Sequence, residues 1–429
     1  MKRYISYFTM VAVFLVAFPV FSQDVEQRIE ILADLIQEAI ENNPGLEAAV
    51  LRTHSAEKII SQAGALPDPQ LNLGLLNLPV NSFTFDQEPM TGKLIGLMQM
   101  FPFPGKQGLA KEMAEFEATA VKYQQEEVRN QIVQMVKSAY YNLYAIDRAK
   151  ETVQKNQALM EQFIRIVETK YATGTGLQQD VLRAQVEFSK LEDDLIMWQQ
   201  KRRAAIARLN AILNRPVDSY FSITARELDL PESHAFGSPV ETIEQQRPLL
   251  LAWKKRIQKA ESSVKLARRD YWPNFAVGAS YLQRDNLSNG AVMHDFFSAT
   301  FSINIPLFFK RKQGAKVAEK ELALSALHAQ YRNVYISVLS DLESADAEME
   351  RNRKRVELYE GGILVQAQQS LESAQAGYQV GKVDFLTLIS NWMMIQNYEM
   401  QYFFAMADFH KALANYELTL GGRLTNDSR

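Results

Sequence analysis

The feature that most constrains this chain is an internal repeat. Pro44, Leu46, Ala56, Glu57, Ala63, Pro69, Gly74 and Pro102 recur 204 residues later as Pro248, Leu250, Ala260, Glu261, Ala267, Pro273, Gly278 and Pro306. Farther along the offset is 207, so Tyr171 and Gly174 match Tyr378 and Gly381, and Asn214 matches Gly421. A constant offset held through so many positions reads as one unit duplicated in tandem, and such a period decides the architecture before any motif does. The first unit is expected over residues 23–214 and the second over 240–429. The proline-containing, mixed polar stretch 215–239 reads as the connector between them.

Each unit has the same order of elements. A helix is expected over Gln27 to Gln62 and over Val240 to Arg269, where glycines are few and prolines lie near the starts. Two strand-like runs follow, Gln70 to Leu78 with Lys93 to Phe101, and Phe275 to Leu282 with Phe296 to Ile305. The last is the clearest, because Phe297, Ala299, Phe301, Ile303 and Ile305 alternate with Ser298, Thr300, Ser302 and Asn304. A period of two with one polar side means a strand between two different environments. The intervening loops, Pro79 to Gly92 and Gln283 to Asp295, carry Asn, Ser, Asp and Gly, as water-exposed turns do.

After Pro102 and Pro306 come very long helical patterns. Gln107 to Tyr171 is 65 residues without a proline, a rod of roughly 95 Å at the helical rise. Ile132, Ala139, Ile146, Val153, Met160 and Val167 are spaced by seven, which predicts helices packed side by side as in coiled coils. The second rod, Gln313 to Tyr378, contains Gly361 and Gly362, a predicted local distortion. Breaks at Gly174 and Gly381 return the chain as helices over Gln179 to Leu213 and Phe385 to Leu420. Each unit is therefore a tall helical hairpin joined to a β-hairpin.

Residues 1–22 read as a signal peptide: Lys2 and Arg3, an apolar run from Phe8 to Phe21, then Ser22. No later segment offers about 18 uninterrupted apolar residues. The chain is therefore expected outside the cytoplasm, with no transmembrane helix. Strands of about nine residues suit a tilted crossing of a bilayer, yet four strands cannot close a barrel, and open edges in hydrocarbon leave backbone groups unpaired. The chain would then lend part of a barrel to an obligate oligomer. The competing reading is a soluble exported protein whose β-hairpins cap a helical bundle, a periplasmic scaffold or adaptor without a pore.

Composition narrows the function. Net charge is −3, which offers no basic footprint for nucleic acid. Cysteine is absent, which removes disulfides, thiolate metal sites and a lipid-anchored N-terminal Cys. The histidines show no His-Glu-x-x-His spacing, and Gly174-Thr175-Gly176 lacks the context of a dinucleotide loop. Neither an enzyme activity nor a cofactor is expected. Fifteen methionines include Met90, Met98, Met100, Met393, Met394, Met400 and Met406, whose thioethers suit either core packing or soft cations such as Cu(I) and Ag(I).

Leu66-Pro67-Asp68-Pro69 before the first strand and Gln99-Met100-Phe101-Pro102-Phe103-Pro104-Gly105-Lys106 after the second carry a resemblance. So do the turns Tyr171-Ala172-Thr173-Gly174 and Tyr378-Gln379-Val380-Gly381, followed by Asp180-Val181-Leu182 and Asp384-Phe385-Leu386. With their order in two copies, the chain resembles the TolC family of outer-membrane efflux proteins, and looks most similar to its heavy-metal branch. The resemblance implies a mainly α fold with a small β contribution: a homotrimer whose 12-stranded outer-membrane barrel continues as a periplasmic helical tunnel. It implies a passive exit duct fed by an inner-membrane pump through a periplasmic adaptor, with metal cations such as copper or silver as a candidate cargo.

The resemblance also assigns residues. Gly174 and Gly381 would turn the helices at the periplasmic tip, with Tyr171, Leu177, Tyr378 and Val383 as adaptor contacts. Asp180 would narrow the tunnel; its second-unit equivalent is Thr387, and Asp384 is the substitute acidic candidate for a lumen gate, against a plain helix N-terminal charge. Phe101, Phe103, Lys106, Phe308, Phe309, Lys310 and Arg311, with Lys312, would form a membrane-interface belt, against a simple solvated helix start.

Overall fold

The computed structural model describes residues 31–221, 227–231 and 239–422. The expected signal peptide and part of the expected connector lie outside the described residues. In chain order the elements are α1 (Leu32–Asn42), α2 (Pro44–Gly64), β1 (Gln70–Leu76), β2 (Gly92–Phe101), α3 (Lys106–Ala172) and α4 (Gln178–Ile212). Then follow α5 (Pro239–Gln246), α6 (Pro248–Arg269), β3 (Phe275–Gln283), β4 (Phe296–Ile303), α7 (Gln313–Leu358), a π-helical turn (Tyr359–Ile363), α8 (Leu364–Gln379) and α9 (Phe385–Leu420).

Two helices expected to be continuous are each broken. Asn43 is extended and its Oδ1 accepts from the backbone N–H of Gly45 at 2.9 Å, capping α2, whose first residue is Pro44. Arg247 is likewise extended ahead of Pro248. The cause is shared: a proline ring crowds the residue before it out of the helical region, so each helix must stop there and restart.

The four strands form one antiparallel sheet in the order β1-β2-β3-β4. β1 and β2 are a hairpin, as are β3 and β4, and β2 pairs with β3 along its length, Leu97 opposite Ala279 and Phe101 opposite Phe275. That central pairing joins segments far apart in sequence, and nothing in the local pattern announces it.

The helices pack along α3, which touches α2, α4, α6 and α9. Ile132, Ile146, Val153, Met160 and Val167 of the seven-residue series are buried, with Ala139 half-buried. They meet Leu191, Trp198 and Leu209 of α4 and Phe385, Ile389, Trp392 and Ile395 of α9 in one continuous core. Two buried ion pairs cross it: Lys137 with Glu417 at 2.6 Å, and Arg247 with Glu127 at 2.7 Å. No helix among the described residues is long and apolar enough to cross a membrane.

The second rod differs from the first. Its buried residues Ala345, Asn352 and Tyr359 follow a spacing of seven, the next step to Ala367 is eight, and Ala374 resumes seven. One residue too many for a straight seam has to go somewhere, and the π turn containing Gly361 and Gly362 absorbs it. A Cβ built on either glycine meets nothing within 4 Å. Gly361→Ala is therefore expected to raise stability by about 0.5–1 kcal/mol, the usual helix preference of Ala over Gly, read as a higher midpoint of thermal unfolding by circular dichroism.

Candidate functional site

The sheet has two chemically distinct faces. Register places Leu71, Leu73, Leu75, Ile95, Leu97, Val277, Tyr281, Phe297, Phe301 and Ile303 on one side, and all ten are exposed. The other side carries Asn72, Gly74, Gly96, Gly278, Ser280, Ser298, Thr300 and Ser302, together with Leu76, Leu94, Met98, Met100, Leu282 and Phe296. One exposed apolar face, opposite a face of mixed small, polar and apolar residues, is compatible with a barrel wall whose outer side meets hydrocarbon. The two outer strands, β1 and β4, each have one partner within the chain, so each leaves a row of backbone groups unpaired.

Where the sheet meets the helices, one carboxylate ties three elements together. Asp270, just past α6, accepts from Lys316 of α7 at 2.6 Å and pairs with Lys106 of α3 at 3.2 Å. Lys106 also donates to Asn274 Oδ1 at 2.9 Å and to the Trp272 carbonyl at 3.1 Å. Phe103 stacks on Trp272 and Phe101 on Phe275, with centroids 5.2 and 5.5 Å apart. This corrects the expectation for Lys106. It is 9% exposed, and its charge is engaged inside the protein rather than offered to lipid phosphate. Phe308, Phe309, Lys310 and Arg311 are exposed. Burial by itself would raise the pKa of Asp270; the hydrogen bonds and charges of Lys316 and Lys106 outweigh it and hold the carboxyl below its usual value.

At the opposite end of the rods the two turns share one geometry. Gly174 and Gly381 have φ of +74° and +73°, the left-handed conformation that other residues adopt only with strain. The Gly174 N–H donates to the Tyr171 carbonyl and that of Gly381 to the Tyr378 carbonyl, at 3.0 and 3.2 Å. Lys170 fastens one turn to the other: its Nζ donates to the Tyr378 carbonyl at 2.6 Å and lies 4.2 Å from the centre of that ring.

Of the expected contact residues, Leu177 is 66% exposed and Tyr171 is exposed too. Tyr378 is not available on the surface: it is 6% exposed, packed against Phe385. Its ring covers the start of α9, a placement set by Lys170 and Phe385 rather than by the turn motif. Val383 is half-buried against Gly377. Sequence reasoning passed over Val380, which at 68% exposed stands out beside Gly381; an apolar residue within a turn of otherwise small and polar residues was the signal for it.

Asp384 caps α9, its Oδ1 accepting from the Thr387 N–H at 2.7 Å, and this bonding lowers its pKa. Asp180 stands half-buried near it; burial, and then the charge of Asp384, raise its pKa above the ordinary carboxylate range. Thr387 is exposed one helical turn into α9. Methionine serves packing in part, with Met160 and Met406 buried in the cores. Among the described residues no group of three or more His, Asp or Glu side chains is placed to hold a metal ion.

The sequence profile of the outer membrane efflux proteins matches residues 35–215 and 240–390, more than half of the chain. The chain belongs to the outer membrane efflux protein family. The pyoverdine export outer membrane protein OpmQ of Pseudomonas aeruginosa is 22% identical over 376 residues, covering 83% of this chain and 78% of that protein. Outer membrane protein VceC of Vibrio cholerae shares the fold with a TM-score of 0.74 at 20% identity, covering 91% of this chain and 96% of the other. The open-state MtrE outer membrane channel of Neisseria gonorrhoeae does so with a TM-score of 0.77 at 20% identity, covering 93% and 90%. The resemblance to the TolC family read from the motifs thus stands, and an efflux-channel family is one of conduits rather than enzymes.

For this efflux protein two measurements test the site geometry. Asp270→Asn is expected to cost about 1.5–3 kcal/mol at neutral pH, the usual worth of hydrogen bonds to a charged group. Because the folded-state pKa of Asp270 is depressed, its contribution is present above the unfolded carboxylate pKa of about 4 and is lost as pH falls through the lower folded value. The gap in unfolding midpoint between wild type and variant should accordingly close on acidification below about pH 4. Gly174→Ala and Gly381→Ala should each cost about 1–2 kcal/mol from backbone strain alone, since a Cβ at either glycine meets no neighbour; unfolding midpoints check this as well.

Proposed function

We propose that three copies of this chain close one 12-stranded barrel in the outer membrane and continue as a helical tunnel through the periplasm. In this reading the duct is passive. An inner-membrane pump supplies the cargo through a periplasmic adaptor that docks at the turns between α3 and α4 and between α8 and α9, with Tyr171, Leu177 and Val380 at the contact. The observation that carries the reading is the sheet with an exposed apolar face and two unpaired edges: in hydrocarbon each unpaired backbone group costs several kcal/mol, and joining β4 of one copy to β1 of the next removes every edge. Four strands per copy would close eight strands as a dimer or twelve as a trimer; the trimer is taken from the resemblance to the TolC family.

The tunnel gate is placed in the same reading at Asp180 and Asp384. Burial, and then the charge of Asp384, already disfavour charge on Asp180 within one chain, and a three-fold axis would add repulsion between copies. Copper or silver ions are proposed as cargo on the resemblance to the heavy-metal branch alone; the relative named for pyoverdine export marks a different cargo within the family.

The purified protein, in mild detergent, is expected to run as a heat-modifiable trimer with β signal and to conduct ions in planar bilayers. A detergent-independent monomer without conductance would reject the channel in favour of a soluble scaffold. Leu177→Asp with Val380→Asp should leave the trimer and its conductance intact while abolishing efflux in cells, measured as survival against copper, silver and hydrophobic drugs. Loss of drug tolerance with metal tolerance unchanged would remove the metal assignment.

A further inference from the structure

Between the sheet and the middle of the rods, three helices enclose a pocket of about 490 Å³, a size that holds a drug-sized molecule. α3 lines it with Met113 and Glu117, α6 with Arg256, Lys259 and Ser263, and α7 with Lys320 and Leu327. α6 packs on both α3 and α7. Every wall therefore belongs to one chain, and the pocket stands apart from the sheet edges at which copies would join.

Its charges are unequally satisfied. Lys259 pairs with Glu117 at 3.0 Å and Lys320 with Glu319 at 2.8 Å. Arg256 makes no hydrogen bond or ion pair among the described residues; its guanidinium lies over the Trp253 ring, 5.6 Å from the centre. Ser263, two turns along the same side of α6, likewise makes no side-chain hydrogen bond among the described residues. One uncompensated cation and one hydroxyl thus share a space with the apolar Met113 and Leu327. A planar guanidinium is matched by a carboxylate, which it can hold with two parallel hydrogen bonds. The thioether and the leucine suit an apolar body beside that carboxylate.

The direction in which the pocket opens follows from α5. That helix covers the side of α6 that carries Leu250 and Lys254: Ile243 packs with Leu250, and Glu244 accepts from Lys254 at 2.9 Å. Arg256, Lys259 and Ser263 lie roughly 140–200° round α6 from Lys254, on the side turned away from α5. In the tunnel reading α5 stands outside the ring of rods, because a helix laid across the inner side would obstruct the duct. The pocket then opens to the lumen.

We infer that this pocket binds an organic anion, a carboxylate on an apolar body, as cargo passing through the duct. Arg256 receives the carboxylate, Ser263 donates its hydroxyl to the anion, and Met113 and Leu327 receive the body. The place of this ligand as cargo rests on the tunnel reading above, whereas its binding does not. A metal cation would meet repulsion at Arg256, so this cargo class is separate from the copper or silver proposed on resemblance.

The probe is 2-naphthoate, with acetate supplying the charge without the body and 2-naphthylmethanol the body without the charge. Isothermal titration calorimetry on the purified assembly in nanodiscs should show 2-naphthoate binding at least about tenfold more tightly than either control. Arg256→Gln should weaken it by about tenfold or more, the worth of a hydrogen bond between charged groups, and Arg256→Lys should recover part of the loss. Equal affinity for wild type and Arg256→Gln, or no preference over acetate, overturns the site.

A second arm uses the absence of cysteine. Ser263→Cys channels in planar bilayers are treated with 2-sulfonatoethyl methanethiosulfonate; their conductance should fall, and 2-naphthoate should slow the fall. If 2-naphthoate binds through Arg256 and complete modification at 263 leaves the conductance unchanged, the pocket opens outward and its role as a cargo site is overturned. If the assembly conducts nothing at all, the duct reading fails and takes the cargo role with it, and the calorimetry decides the binding site by itself.

Discussion

Backbone hydrogen bonding at the sheet edges governs what this protein can be. A strand in water tolerates an open edge because solvent pairs with it; a strand in hydrocarbon has no such partner. β1 and β4 face outward from the sheet with one partner each, and the same sheet presents an apolar face that no described element covers. These two facts reinforce one another. In the proposed reading the apolar face favours lipid, lipid forbids the open edge, and another copy of the same chain removes it. In that reading the helical rods, for all their length, are consequences: they would extend the cylinder the strands close.

The halves are alike in element order and unlike in detail, and the differences are concentrated at three places. At the sheet–helix junction the first half buries its cation while the second displays three. In the rods the first seam runs unbroken and the second carries one extra residue in a π turn. Between the two tips, Lys170 of the first half reaches across to the Tyr378 carbonyl of the second, a bond with no reciprocal counterpart because position 377 is glycine. These departures distribute exposed charge, helix irregularity and cross-linking unequally between the two halves.

Much of this was legible in the sequence because it is local. Alternation in β4, the seven-residue series in α3 and the glycines at the tips each depend on neighbours within a turn or two, and the structure has them where the pattern put them. The breaks before Pro44 and Pro248 were equally local and were passed over, since a proline near a helix start also reads as a favoured first residue. What sequence patterns could not supply is partnership at a distance. Lys106 reads as a surface cation until Asp270 is brought beside it, and Tyr378 reads as a tip contact until Lys170 and Phe385 close over it. The extra residue in the second rod becomes visible only once the buried seam is known, although Gly361 and Gly362 mark the spot.

Asp270 receives Lys106 from one rod and Lys316 from the other, so both rods spring from a common footing. α3 alone has 67 residues, a lever of about 100 Å, over which one degree of tilt at the base displaces the far end by roughly 2 Å. A shared carboxylate at the pivot resists independent tilting of the two rods there. Relative displacement between the hairpins is easier downstream, where the second of them has a glycine pair in its spine and the first has none.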